Sequence, residues 1–186
     1  MADPQGGVFS MMIGGIFHCA IRTADLDATL LFYKGVLGLK EVSRPAGLKF
    51  PGAWFAVPNA IGQPILHVYA GYAAADGNGE IPTDNERGAV DHISLLAHGF
   101  THYRAHFEKL GISAREQNQK GGSNWQMFVH DPNGIKIELT FDQAAEPDLP
   151  VPIVDARRYN ASERFFDARE YPALKEKIVL LANDAT

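Results

Sequence analysis

The chain has 186 residues, 46% hydrophobic and 21% charged, enough apolar material for one well-buried domain or for two small modules sharing a core. Its net charge of −5 gives no basic field for nucleic acid or an anionic membrane, and no segment reaches the ~18 apolar residues a membrane helix needs, so a small-molecule ligand is the expected partner. The single cysteine, Cys19, excludes an intramolecular disulfide and fits a reducing compartment, so the sequence reads as cytoplasmic.

Residues 1–14 read as a mobile leader. Ile16 to Arg22 then alternates as a strand with His18, Ala20 and Arg22 on one face. Asp25 is a helix N-cap, and the apolar stripe Leu26, Leu30, Phe32, Tyr33 and Val36 runs until Gly38 stops it. Leu39 to Val42, Ala53 to Val57 and Ile65 to Tyr69 follow as short strands punctuated by proline and glycine. The loop from Pro45 to Gly52 is either a cover for a site or a plain surface connection. Residues 73–88 form a polar, glycine-containing linker. After it the order repeats: a strand over Val90 to Leu96, a helix over Phe100 to Leu110 ending at Gly111, and strands near 112–116, 125–130 and 135–141.

The repeat is close in register. His18 and His92 stand 74 residues apart (92 − 18), and Leu37-Gly38-Leu39 and Leu110-Gly111-Ile112 stand 73 apart (110 − 37). Two copies of one supersecondary unit are expected to pack together, since neither buries its sheet face alone. Module one spans 15–72 and module two 89–142. Beyond them, 143–186 is a proline-containing tail with two expected amphipathic helices, Ser162 to Ala168 and Pro172 to Asn183, docked on the domain or on a second subunit.

The stretch from Asp131 to Phe141 organises the second module. Asp131-Pro132-Asn133-Gly134 is a tight-turn sequence, and after it Ile135, Ile137, Leu139 and Phe141 share one strand face while Lys136, Glu138 and Thr140 share the other. Glu138 has counterparts. His18 and His92 begin the two modules, and His67 and Glu138 occupy matched places in their last strands. Taken singly, each histidine is an ordinary packing residue. At matched positions of a repeat, with mostly apolar neighbours at ±1, the four side chains are expected to converge on one hollow. Two imidazoles and a carboxylate suit a borderline divalent ion such as Fe, Mn, Co, Ni or Zn and leave coordination positions open. His98, His102 and His106 run at helical spacing and read as a solvated stripe; His130 is left open.

The pattern His18-x-x-Ile21, then Phe32-Tyr33 and Leu37-Gly38-Leu39, with Asp91-His92-Ile93-Ser94-Leu95 and the closing Asp131-Pro132-Asn133-Gly134-x-x-x-Glu138-Leu139, resembles the vicinal oxygen chelate superfamily over residues 16–142. The resemblance implies an α+β fold of paired βαβββ modules forming a curved, barrel-like mixed sheet around a metal cleft, followed here by the helical tail. It implies His18, His92 and Glu138 as metal ligands, and a homodimer or higher homo-oligomer, since members of this fold commonly pair.

The place of His67 varies with reaction in that superfamily. A histidine there resembles the acid/base imidazole of extradiol dioxygenases, which favours Fe(II) and ring cleavage. The match lacks two groups those enzymes use: Phe128 stands where a tyrosine is expected, and no second histidine occurs around Gln117 to Ser123. A glyoxalase I-like lyase or epimerase-like isomerase, with His67 as base or fourth ligand, is the alternative; thiol transfer of the fosfomycin-resistance kind and a nonenzymatic small-molecule binder are further ones. Alternation of the strands nominates Trp54, Phe55, Tyr69, Trp125, Met127 and Phe128 as pocket lining.

Overall fold

The computed structural model describes residues 17–57, 64–75, 90–118 and 123–183, with only the backbone over 181–183. The expected leader and most of the expected linker lie outside the described residues. Module one consists of β1 (Cys19–Arg22), α1 (Leu26–Leu31) running into a π-helical turn (Phe32–Val36), β2 (Lys40–Val42), β3 (Gly52–Ala56) and β4 (Pro64–Tyr69). Module two repeats the order with β5 (His92–Leu96), α2 (Phe100–Leu110), β6 (Arg115–Asn118), β7 (Asn124–His130) and β8 (Lys136–Asp142). Each module forms its own four-stranded sheet, in the orders β1-β4-β3-β2 and β5-β8-β7-β6. In both, the first strand pairs parallel with the last and the other pairings are antiparallel. The fold is the expected mixed α+β arrangement of βαβββ units, but the two sheets do not close into a barrel.

Local chemistry accounts for the boundaries. Asp25 Oδ1 accepts from the Ala28 N–H at 2.9 Å and starts α1. Gly111 ends α2 at φ 66°, a left-handed position that costs glycine nothing. Strand pairing then resumes at Arg115, later than the expected 112, because Ile112 is drawn into the core and Ser113 is held by Glu170. In the turn before β8, Asp131 accepts from the N–H groups of Asn133 and Ile135 at 2.9 and 2.8 Å, which fixes the hairpin.

The helices cover the inner face of both sheets. Phe32, Tyr33, Phe55, Phe100, Phe107, Leu110, Met127, Ile137 and Phe141 are fully buried in one continuous core, and each such side chain stabilises the fold by about 1.5–3 kcal/mol relative to exposure. Polar joints connect the modules. Tyr33 Oη donates to Asp131 Oδ2 at 3.1 Å, Thr23 Oγ1 to Asn133 Oδ1 at 2.7 Å, and Tyr103 Oη to the Leu37 carbonyl at 3.0 Å.

The tail docks on its own domain. Glu146 accepts from the N–H groups of Gly99 and Phe100 at 2.9–3.0 Å and caps α2, which has no cap of its own. Arg158 bridges to Glu116 at the edge of β6, and Tyr171 Oη donates to the His130 carbonyl at 2.6 Å. Of the two expected tail helices, α3 (Leu174–Asn183) forms. Ser162 to Ala168 does not, because Phe165 and Phe166 are both turned onto His130, 4.4 and 5.5 Å between ring centres, and hold the chain extended.

Candidate metal centre

β5 and β8 lie side by side in parallel register, with Ser94 opposite Glu138 and His92 opposite Lys136. Their polar faces point away from the helices, because Ile137, Leu139 and Phe141 are buried on the other side. This pairing brings His92 Nε2 to 3.3 Å from Glu138 Oε2. The remaining atoms of both side chains are already engaged. Ser94 and Thr140 donate to Glu138 Oε1 at 2.7 and 2.6 Å, and Asp91 Oδ1 sits 2.7 Å from His92 Nδ1. Lys136 in turn lies 2.8 and 3.0 Å from the two Asp91 oxygens.

The electrostatics follow. Burial pushes the Glu138 carboxyl up, but hydrogen bonds from Thr140, Ser94 and Gln126 hold it below its ordinary value, so it is a carboxylate near neutrality. The bond to His92, and then Lys136, hold Asp91 below its ordinary value as well. A neutral imidazole carries one ring proton, and the Asp91 carboxylate, an acceptor only, takes it at Nδ1. With the ring proton at Nδ1, Nε2 presents its lone pair to Oε2 at 3.3 Å, an arrangement that a cation between them would satisfy. Carboxylate support of the far ring nitrogen is also what orients and strengthens a metal-binding histidine. The residues present therefore fit a divalent ion.

The other expected pair sits on the first sheet. His67 is 6% exposed and lies between two rings, Trp54 at 4.1 Å and 8° and His18 at 4.1 Å and 17°. Burial, then the neighbouring His18, lower the His67 pKa, so its ring is neutral near pH 7. The two stacked imidazoles run their in-plane lone pairs side by side instead of toward one point. Within one chain, no group of three or more His, Cys, Asp or Glu side chains suited to a metal occurs among the described residues. The expectation that all four side chains meet in one hollow is thus not met inside a single chain: the duplication builds two half-sets, one per sheet.

Alternation separates the expected pocket residues. Trp54 pairs with His67 across β3 and β4, and Phe128 pairs with Glu138 across β7 and β8, its ring edge-on to His92 at 6.1 Å. Tyr69 lies on the polar face of β4, two residues beyond His67, packed edge-on to Phe50. Phe55, Trp125 and Met127 were expected at the pocket but face the helices: Phe55 packs on Tyr33, Trp125 on Phe100, and Met127 is fully buried. His98 precedes α2 and is exposed, while His106 bonds the Gly35 carbonyl, so the histidine stripe assembles no site. The sequence reading missed Asp91, Ser94 and Thr140 as supports; the ±2 spacing of Thr140 from Glu138 and the adjacency of Asp91 were the available signals. It also missed Tyr159, from the tail, which stacks on Phe128 at 3.7 Å and 13°.

Comparison with known proteins bears on the family and the fold. The family profile of the Glyoxalase/Bleomycin resistance protein/Dioxygenase superfamily matches residues 15–139. Among curated proteins, the chain is 30% identical over 124 residues to Glyoxylase I 4 of Arabidopsis thaliana, covering 66% of this chain and 67% of that one. It is 26% identical over 136 residues to a lactoylglutathione lyase of Synechocystis, covering 67% and 92%. Among solved structures, a glyoxalase family protein from Bacillus anthracis superposes with a TM-score of 0.55 at 21% identity, covering 72% of this chain and 99% of that one, a likeness of fold. The two curated relatives are named as a glyoxylase I and a lactoylglutathione lyase, so the ring-cleaving oxygenase expected from His67 gains no support, and neither does the preference for Fe(II), which rested on it. No described helix is long and apolar enough to cross a membrane. On the profile match over two thirds of its length and the shared βαβββ topology, the chain belongs to the glyoxalase/bleomycin resistance protein/dioxygenase superfamily, the vicinal oxygen chelate proteins.

Proposed function

We propose that the chain is a divalent-metal-dependent lyase of the glyoxalase I kind, acting on a small substrate with adjacent carbonyl and hydroxyl oxygens, such as the adduct of a thiol with an α-ketoaldehyde. One observation carries the metal dependence: His92 Nε2 and Glu138 Oε2 converge to 3.3 Å, while His92 Nδ1 is engaged by Asp91 and Glu138 Oε1 by Ser94 and Thr140. The names of the two curated relatives favour the lyase over the oxygenase. A divalent ion at this place supplies Lewis acidity to the two adjacent substrate oxygens.

The chain's own residues do the rest. His92 and Glu138 would hold the ion, with Ser94 and Thr140 fixing the carboxylate through its other oxygen, Oε1. His67, a neutral ring near pH 7, takes the proton from one substrate carbon and returns it to the next. Trp54 and Phe128 supply apolar walls that keep bulk water from the exchanging proton. Because His67 and His18 belong to the other sheet, the complete site needs a second copy of the chain, the first sheet of one protomer facing the second sheet of its partner. A homodimer is therefore part of the reading.

The test is to load the purified chain separately with Ni, Zn, Co or Mn and follow thioester formation from methylglyoxal and glutathione. Metal-dependent, chelator-sensitive turnover without oxygen uptake is expected. Oxygen uptake with ring fission of a catechol, or a chain that takes up no divalent ion, overturns it.

A further inference from the structure

The tail lies outside the matched family region, which ends at residue 139, yet it reaches the metal centre. Arg158 bridges in parallel to Glu116 on the edge strand β6, and the Tyr159 N–H donates to the Glu116 carbonyl at 2.8 Å, so this part of the tail is laid along the second sheet. From there the Tyr159 ring lies flat on Phe128, and Phe128 stands edge-on to His92. A second route runs through polar atoms. Lys136 Nζ donates to Tyr159 Oη at 2.9 Å and holds both Asp91 oxygens, and Asp91 accepts from His92 Nδ1.

Asp91 precedes β5, and its side chain is 67% exposed. Left alone, such a carboxylate samples several rotamers and leaves the His92 ring free to exchange tautomers. Lys136 pins it, and Lys136 is itself a long, flexible chain whose ammonium is fixed by the Tyr159 hydroxyl and lies 5.4 Å over the Tyr159 ring. Resting on the metal reading given above, we infer that Tyr159 is a positioning residue for His92: through Lys136 and Asp91 it sets the tautomer and ring orientation that turn Nε2 toward Glu138. The orientation of a ligand within the family domain thus depends on a side chain that this chain brings in from beyond it.

The experiment uses the full chain and Zn(II) alone as probe, in competition with a chromophoric chelator. The variants are Tyr159→Phe, which keeps the stack and loses the hydroxyl, Tyr159→Ala, Asp91→Asn, and Tyr159→Phe combined with Asp91→Asn. Nitrogen-15 spectra of the His92 ring in the metal-free protein report the tautomer. Loss of a direct outer-shell partner weakens binding about 10–100-fold. Tyr159→Phe, two hydrogen bonds further out, is expected to weaken it about three- to tenfold and to mix the tautomers, while adding nothing in the Asp91→Asn background. Tyr159→Phe with wild-type affinity and an unchanged His92 spectrum overturns the inference while leaving the metal reading standing. Equal losses from Tyr159→Phe in both backgrounds overturn it as well, since they mark a role that bypasses Asp91. A wild-type chain that binds no Zn(II) overturns the metal reading, and the inference with it. A melting curve for each variant identifies loss of fold, and Tyr159→Phe, which keeps the ring, decides the matter if Tyr159→Ala unfolds.

Discussion

Replacing Asp131 by alanine tests how the two modules are joined. Asp131 is fully buried and accepts four hydrogen bonds: Oδ1 from the Asn133 and Ile135 N–H groups, Oδ2 from Tyr33 Oη and Asn133 Nδ2. Asn133 Nδ2 also reaches Thr29 Oγ1, so it keeps a partner, whereas the other three donors do not. Each buried, orphaned donor costs about 1–3 kcal/mol. Tyr33 pays fully because it is sealed in the core, and the two turn N–H groups pay less because Asn133 and Ile135 are half-buried. The expected loss is about 3–5 kcal/mol, a large part of the roughly 5–15 kcal/mol that holds a domain together. Asp131→Asn keeps Oδ1 for both backbone donors and should lose only about 1 kcal/mol. Urea denaturation at pH 7 measures both. Equal midpoints for the two variants would refute the account. The pH dependence adds a second check. Burial pushes the Asp131 carboxyl up against the hydrogen bonds that pull it down, so the folded chain retains this proton at a pH where the unfolded chain has lost it. Its contribution is complete below the ordinary value of 3.8 and is lost as pH rises through the folded value. The Asn variant does not titrate here, so the wild-type advantage over it should shrink across that window.

Glu138→Gln keeps Oε1 as acceptor for Ser94 and Thr140, so its melting temperature should match wild type within about 2 °C. Its affinity for Zn(II) should fall by more than the roughly 100-fold upper bound for an outer-shell partner, as calorimetric titration will show. Glu146→Ala uncaps α2 and orphans the buried Phe100 N–H, an expected loss of about 2 kcal/mol. At this chain length that corresponds to a melting temperature lower by about 4–8 °C. Gly52→Ala places a Cβ 2.1 Å from the Val68 carbonyl oxygen, a backbone atom that cannot swing aside. The strands must part at about 1–3 kcal/mol or more, and fluorescence of Trp54, stacked on His67, should report the shift.

Features written in local chemistry were legible in the sequence. The Asp25 cap, the Gly111 stop and the turn at Asp131 to Gly134 depend on residues within four positions of one another, and the repeat located the matched histidines without any structure. The faces of β3 and β7 were harder. Trp54 and Phe55, or Met127 and Phe128, are adjacent aromatic or apolar residues of which one must point each way, and the choice is set by pairing register with β4 and β8, which periodicity in a run of apolar residues does not encode. Tyr159 was invisible for a different reason. It lies in an extended, proline-bounded stretch without periodicity, and its role comes from a contact with Phe128, 31 positions away (159 − 128). The separation of the two half-sets was also beyond reach, because it depends on how the two modules pack against each other.

That separation links activity to assembly in a way that a mixing experiment can resolve. If His67 of one protomer works with His92 and Glu138 of its partner, a chain carrying His67→Ala and a chain carrying Glu138→Gln are each inactive, yet a mixed dimer holds one site with both defects and one with neither. Random exchange between equal amounts makes half the dimers mixed, so about a quarter of all sites should be intact and about a quarter of wild-type turnover should return. Sites confined to one chain give no recovery, because every site then keeps its own defect. Turnover measured after dissociation and reassembly of the two variants separates these cases, and a lack of recovery despite mixed dimers demonstrated by mass spectrometry would remove the second copy from the site.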